Sequence, residues 1–230
     1  MRGLLKRMFD YALTCGLIQA NPVMALPMQH VYRAAARGRA LTPDEIRRFL
    51  HAMQASNIRR QFKIAFQLIL MTLVRKSELM LEQWKDVHLD KGQWHIPVEN
   101  SKTGKPHIVY LSTQAQTLLK ELKPLASSSN WVLPGRGTLA KPFANNALNQ
   151  ALKQGQKIPA FTIHDLRRTA STLLHEQGWS SDVVEKALNH TIGGVRGVYN
   201  RAEYAEQRRE MVQAWSDYID RLAPSANLVV

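Results

Sequence analysis

Cysteine is nearly absent: Cys15 stands alone in 230 residues, which rules out a disulfide within the chain and a cysteine-held zinc site, so a reducing, cytoplasmic setting is expected. Long apolar runs are missing as well. The longest, Ile64 to Val74, is broken by Gln67 and Thr72 and is too short to span a bilayer. The amino end, Met-Arg-Gly-Leu-Leu-Lys-Arg-Met-Phe-Asp, scatters charges among its apolar residues and has no unbroken signal-peptide core. A soluble protein with no membrane partner is expected. There is no HExxH or CxxC, and the histidines at 30, 51, 88, 95, 107 and 175 have no metal-ligand spacing, so neither metal nor cofactor is implied. Acidic residues are also scarce, 18 against 31 Lys plus Arg, for a formal net charge of +13. That excess favours a polyanionic partner, since each cation placed near a phosphate gains Coulomb energy and releases condensed counterions. DNA and RNA come first.

What is present is an ordinary globular composition, 45% hydrophobic, with no repeat or low-complexity tract. Leu4, Leu5, Met8, Phe9, Ala12, Leu13 and Leu17 form one helical stripe that ends at Asn21-Pro22 and needs a cover. Residues 25–41, with Arg33, Arg37 and Arg39, read as a basic linker. Thr42-Pro43-Asp44-Glu45 then supplies an N-cap, a proline at the first helical position and a capping-box glutamate. A more apolar helix is predicted from about Arg59 to Val74, and a short one through Glu78 and Leu81. The period then shortens. Trp84 to Leu89, Gln93 to Pro97 and His107 to Leu111 read as strands, joined by Asp90-Lys91-Gly92 and by a turn at Lys102-Thr103-Gly104. Helical patterns resume over 113–122, 144–153, 164–177, 181–188 and 204–222, with Leu133 to Gly137 as a loop between them. The fold class is therefore mainly α with a small antiparallel β-sheet.

His164-Asp165-Leu166-Arg167 opens one of these helices, and its i, i+3 spacing puts His164 and Arg167 on one face, able to meet one phosphate. Alone, such a pair is usually surface decoration. Its company is more specific: Thr72-Leu73-Val74-Arg75-Lys76-Ser77-Glu78-Leu79 upstream, Ser101-Lys102-Thr103-Gly104 in the sheet region, then Leu188-Asn189-His190 and Val198-Tyr199-Asn200-Arg201. In this order the set resembles the signature of the tyrosine recombinases, or phage integrases, over about residues 42–222. The stretch from Gly194 to Tyr204 looks most like integrases of temperate phages and genomic islands.

The resemblance implies a recombinase that cleaves and rejoins DNA through a 3′-phosphotyrosine, with Arg75 and Arg167 gripping the scissile phosphate. A planar, permanently charged guanidinium suits two non-bridging oxygens. It makes Glu78 a supporting acid, and Lys102 the general acid for the departing 5′ oxygen, with Lys105 a rival for that role. His164 would accept the phenol proton, and His190 would hydrogen-bond a non-bridging oxygen. Tyr199, beyond the Gly193-Gly194 turn, would be the nucleophile, with Tyr204 its nearest competitor. Asn189 and Leu73 stand where many relatives carry glycine.

The resemblance also implies domains: 1–24 as the terminal helix of a truncated core-binding domain, 25–41 as the linker, 42–222 as the catalytic domain and 223–230 as a tail. Its partners would be double-stranded DNA attachment sites, bound by a homo-tetramer in the synaptic complex and a monomer free in solution. An incomplete clamp would make DNA binding weak and salt-sensitive. The stripe Met211, Val212, Trp215, Tyr218, Ile219 and Leu222 must be buried somewhere and could fold back on its own chain; the resemblance implies instead that it docks on a neighbouring subunit. Two other functions fit the residues: type IB topoisomerase-like relaxation, and a noncatalytic DNA-binding remnant of a mobile element.

Overall fold

The computed structural model describes residues 2–26, 38–155, 159–190 and 203–224. It divides into two compact units, Met1–Gly38 and Arg39–Val230. In the smaller unit, helix α1 (Arg2–Thr14) is tied to the turn after it through Asn21, whose side-chain amide donates to the Lys6 carbonyl (3.1 Å) and to Asp10 Oδ1 (2.7 Å). The stripe foreseen lies on α1 except for Leu17, which follows the helix end at Thr14, and Leu4, Met8, Leu13 and Leu17 are all exposed within the unit.

The larger unit opens as its sequence dictates. Thr42 caps α2 (Pro43–Ala55), its hydroxyl accepting from the Glu45 N–H (3.2 Å) while Glu45 accepts from the Thr42 N–H (3.0 Å). Helix α3 (Arg60–Thr72) is buried at every position from Ile64 to Thr72, so that stretch has no solvent face; Phe66 meets Phe49 of α2 edge to face, and later helices pack around the rest. It stops because Leu73 turns left-handed, with φ 60°. After the short α4 (Lys76–Met80) come three antiparallel strands, β1 (Val87–His88), β2 (Gln93–Ile96) and β3 (His107–Tyr110), in the order β1-β2-β3 with Trp94 opposite Val109. The expected first strand is mostly short 3-10 turns, leaving only Val87–His88 paired.

Helix α5 (Thr113–Leu125) follows, and then a two-stranded sheet of β4 (Pro134–Gly135) and β5 (Thr138–Pro142) where a plain loop was expected. Helices α6 (Ala147–Gly155), α7 (Ile163–Glu176), α8 (Ser181–Ala187) and α9 (Ala205–Leu222) follow among the described residues. The docking expected of α9 on a neighbouring subunit is corrected here. Met211, Val212, Trp215 and Ile219 are buried in the core of their own chain, and the Trp215 indole donates to the Leu70 carbonyl (2.8 Å). An apolar stripe specifies that it must be covered, not by which chain. No helix of the described residues is long and apolar enough to cross a membrane.

Candidate active site

The end of α3 sets the first side of the site. Past the left-handed Leu73, the chain extends to Arg75, which precedes α4, and Glu78 at the third helical position grips it twice. Its carboxylate accepts from the Arg75 backbone N–H (2.8 Å) and from the Arg75 guanidinium (2.8 Å). Glu78 is 1% exposed, so this ion pair is shielded from water, and removing one partner would strand a buried charge. A second Arg75 N–H donates to the Asn189 carbonyl (3.3 Å).

Helix α7 supplies the second side. Asp165 fixes its start, accepting from the Thr162 backbone and hydroxyl (2.8 Å each) and from Arg168 (2.7 Å). One turn along, Arg167 is 3% exposed, and its guanidinium donates to the carbonyls of Leu73 and Leu188 and lies 3.3 Å from His190 Nε2. Loss of hydration, with Arg75 beside it, lowers the Arg167 pKa to about 10, so it stays charged at neutral pH. Among the described residues Arg167 uses three of the five guanidinium donors and Arg75 two, which leaves N–H groups on both for an anion.

Because an arginine nitrogen only donates, His190 Nε2 accepts from it, and the ring proton sits on Nδ1, which donates to Glu185 (2.8 Å). His164, exposed in the first turn of α7, has its pKa lowered by partial loss of hydration and then by Arg167 and Arg168, with Lys102 adding to the effect. Val74, Arg75, Lys76, His164 and Arg167 line an open cleft of about 210 Å³. That is below the roughly 300 Å³ at which drug-sized ligand pockets begin, and suits one phosphodiester presented by a polymer outside. A larger hollow of about 590 Å³, bordered by Phe62, Arg136, Phe143 and Gln150, holds none of the residues singled out from sequence.

The structure thus brings together Arg75, Glu78, His164, Arg167 and His190. Lys102 and Lys105 are both exposed on the β2–β3 connection; the residues flanking Lys102, Ser101 and Thr103, bond to Asn189. Tyr199, Gly193 and Gly194 lie outside the described residues, as do Arg33 and Arg37 of the linker. Sequence reasoning missed Asn189, Glu185, Asp165 and the carbonyls of Leu73 and Leu188. A signal was available for two of these positions: Leu73 and Asn189, noted as replacing glycine, have φ of 60° and 48°.

Residues 39–206, a range that includes Tyr199, match the family model described as the phage integrase family. Among curated proteins, the chain is 32% identical over 221 residues to the prophage integrase IntA of Escherichia coli (strain K12), covering 96% of this chain and 53% of that protein. To the prophage integrase IntZ of the same strain it is 35% identical over 225 residues, covering 96% and 55%. The chain therefore spans about half the length of the curated relatives it matches. Its fold matches a lambda integrase tetramer bound to a Holliday junction, with TM-score 0.63 and 22% identity over 83% of this chain and 57% of that one. It also matches the Tn1549 transposon integrase in complex with circular intermediate DNA, with TM-score 0.60 and 17% identity over 91% and 76%.

Proposed function

Since the chain belongs to the phage integrase family, we propose that residues 42–222 are the catalytic domain of a site-specific DNA recombinase that cleaves and religates attachment-site DNA through a 3′-phosphotyrosine at Tyr199. Residues 1–24 would be the last helix of a core-binding domain, 25–41 the linker and 223–230 a tail. One observation carries the reading: two guanidiniums, each oriented by buried partners, converge with His164 on one cleft and keep donors to spare, and His190 lies against one of them, Arg167.

In the proposed reaction the unused N–H groups of Arg75 and Arg167 take the non-bridging oxygens and stabilise the charge that builds on phosphorus. Glu78 holds Arg75 in line and moves no proton. The Tyr199 phenol gives its proton to His164, whose lowered pKa keeps the imidazole in its accepting form at neutral pH. The phenolate oxygen attacks phosphorus, the bond to the 5′ oxygen breaks, and the Lys102 ammonium protonates that oxygen. Lys102 is preferred to Lys105 because its charge is among those that reach His164. Glu185, on the opposite ring nitrogen, holds the His190 imidazole in place for a hydrogen bond to a phosphate oxygen. Attack by a free 5′ hydroxyl on the phosphotyrosine reverses every step and rejoins the strand without ATP. A homo-tetramer on two duplexes is the proposed assembly, supported by the lambda integrase tetramer on a Holliday junction.

The test uses a pool of nicked suicide duplexes with randomised sequence, incubated with this chain and with Tyr199→Phe. A denaturant-resistant, protease-sensitive protein–DNA adduct is expected from the first and none from the second. An adduct that persists in Tyr199→Phe, or none from the unaltered chain, overturns the proposal.

A further inference from the structure

Three segments meet at Asn189, two of them carrying the arginines of the cleft. Its backbone carbonyl accepts from Arg75 (3.3 Å), and the next residue, His190, lies against Arg167. Its side chain reaches across to the β2–β3 connection, where the amide N–H donates to Ser101 Oγ (3.1 Å) and the amide oxygen accepts from Thr103 Oγ1 (3.3 Å). Ser101 and Thr103 are also 3.0 Å apart, oxygen to oxygen. With the Thr103 proton given to Asn189, the Ser101 proton goes to Thr103, and the three side chains close a ring in which each both donates and accepts. Such closed chains polarise and strengthen one another.

Lys102 sits between the two hydroxyl residues in this ring. Its own side chain is exposed, and its ammonium makes no hydrogen bond among the described residues, so nothing on the lysine itself fixes where it points. The turn beyond it runs through Gly104 at φ 66°, a flexible path. The residues on either side of Lys102 are therefore the handles by which the turn can be held. The backbone at 189 does not call for asparagine: at φ 48° glycine would sit with less strain, and what asparagine adds is the amide.

We propose that Asn189 is a positioning residue that ties the Lys102 turn to the phosphate cleft before DNA arrives, so that the general acid is already aimed at the 5′ oxygen. This rests on the assignment of Lys102 as general acid and of Tyr199 as nucleophile. A glycine at 189 would keep the left-handed backbone and the carbonyl that Arg75 uses, and would release only the turn.

The duplex captured by the unaltered chain is resynthesised with either oxygen or sulfur bridging phosphorus to the 5′ carbon at the mapped scissile bond. An alkoxide needs a proton to leave, whereas a thiolate is stable near neutral pH and leaves without one. Asn189→Gly is expected to slow adduct formation at least ~10-fold on the oxygen substrate, short of the ~10²–10⁴-fold that a general acid can supply, and to leave the sulfur substrate within about twofold. Ser101→Ala, which opens the ring from its other side, should behave alike. Asn189→Gly at full rate on oxygen, or equally slow on oxygen and sulfur, overturns the inference, the latter pointing to general damage of the site. Lys102→Ala without effect on oxygen, or an adduct surviving in Tyr199→Phe, instead overturns the assignments beneath it.

Discussion

A guanidinium stabilises a phosphate only if its free N–H groups point where the oxygens will be, and here main-chain carbonyls do much of the pointing. Arg167 is held by Leu73 and Leu188, and Arg75 by Asn189, at or beside two left-handed residues. The side chains Arg75, Glu78, His164, Arg167 and His190 were legible in the sequence because their types and order are distinctive. The carbonyls were not, because every residue has one and only the backbone angle decides where it faces. His164 offers a test at this scale. Reduced hydration and the neighbouring cations lower its pKa below the ordinary 6.5, so its accepting form predominates at neutral pH and is lost on acidification. The second-order rate constant for adduct formation, which reports the free protein, should fall on acidification with its midpoint below the ordinary histidine value. His164→Gln should remove this limb and lower the plateau by roughly 10²–10⁴-fold. A limb centred above the ordinary histidine range would contradict the assignment.

Elements with strong local signals emerged as read. Thr42, Pro43 and Glu45 start α2 as the capping motif requires, and the three-stranded sheet follows the alternation around Trp94 and Val109. The β4–β5 pair escaped notice since Pro134, Gly135 and Gly137 are turn residues, and the pairing of so short a strand is decided by packing rather than pattern. The destination of α9 was equally hidden, because periodicity carries no information on which surface receives the stripe. Between α4 and the sheet lies Glu82, 1% exposed and with no hydrogen bond to either carboxyl oxygen among the described residues. Burial pushes its pKa up to about 9, opposed mainly by the nearby Trp94 indole, which lies close to the carboxylate without making a hydrogen bond to it. The folded chain then keeps a proton that the unfolded chain releases above 4.5, so stability falls as pH rises from 4.5 towards 9. Glu82→Gln should abolish that slope and stabilise the protein at pH 7 by ~1–3 kcal/mol, given roughly 1.4 kcal/mol per pH unit. Urea unfolding at pH 5 and pH 8 would measure it; equal pH slopes in the two proteins would refute it.

At the scale of the whole molecule, the +13 charge and the single cysteine bounded the class of partner but could not distinguish binding from chemistry. The proposal of chemistry rests on residues as far apart as Arg75 and His190 being brought together, which composition does not encode and ordered motifs do. The family match begins at residue 39, where the larger compact unit also begins. What remains is the junction between that cleft and the nucleophile. Mass spectrometry of peptides from the gel-isolated DNA adduct addresses it most directly. A nucleotide joined through its 3′ phosphate to the Tyr199 phenol, with a free 5′ hydroxyl on the released strand, is the predicted result; a nucleotide on Tyr204 or any other side chain, or a 5′-phosphate linkage, would contradict it.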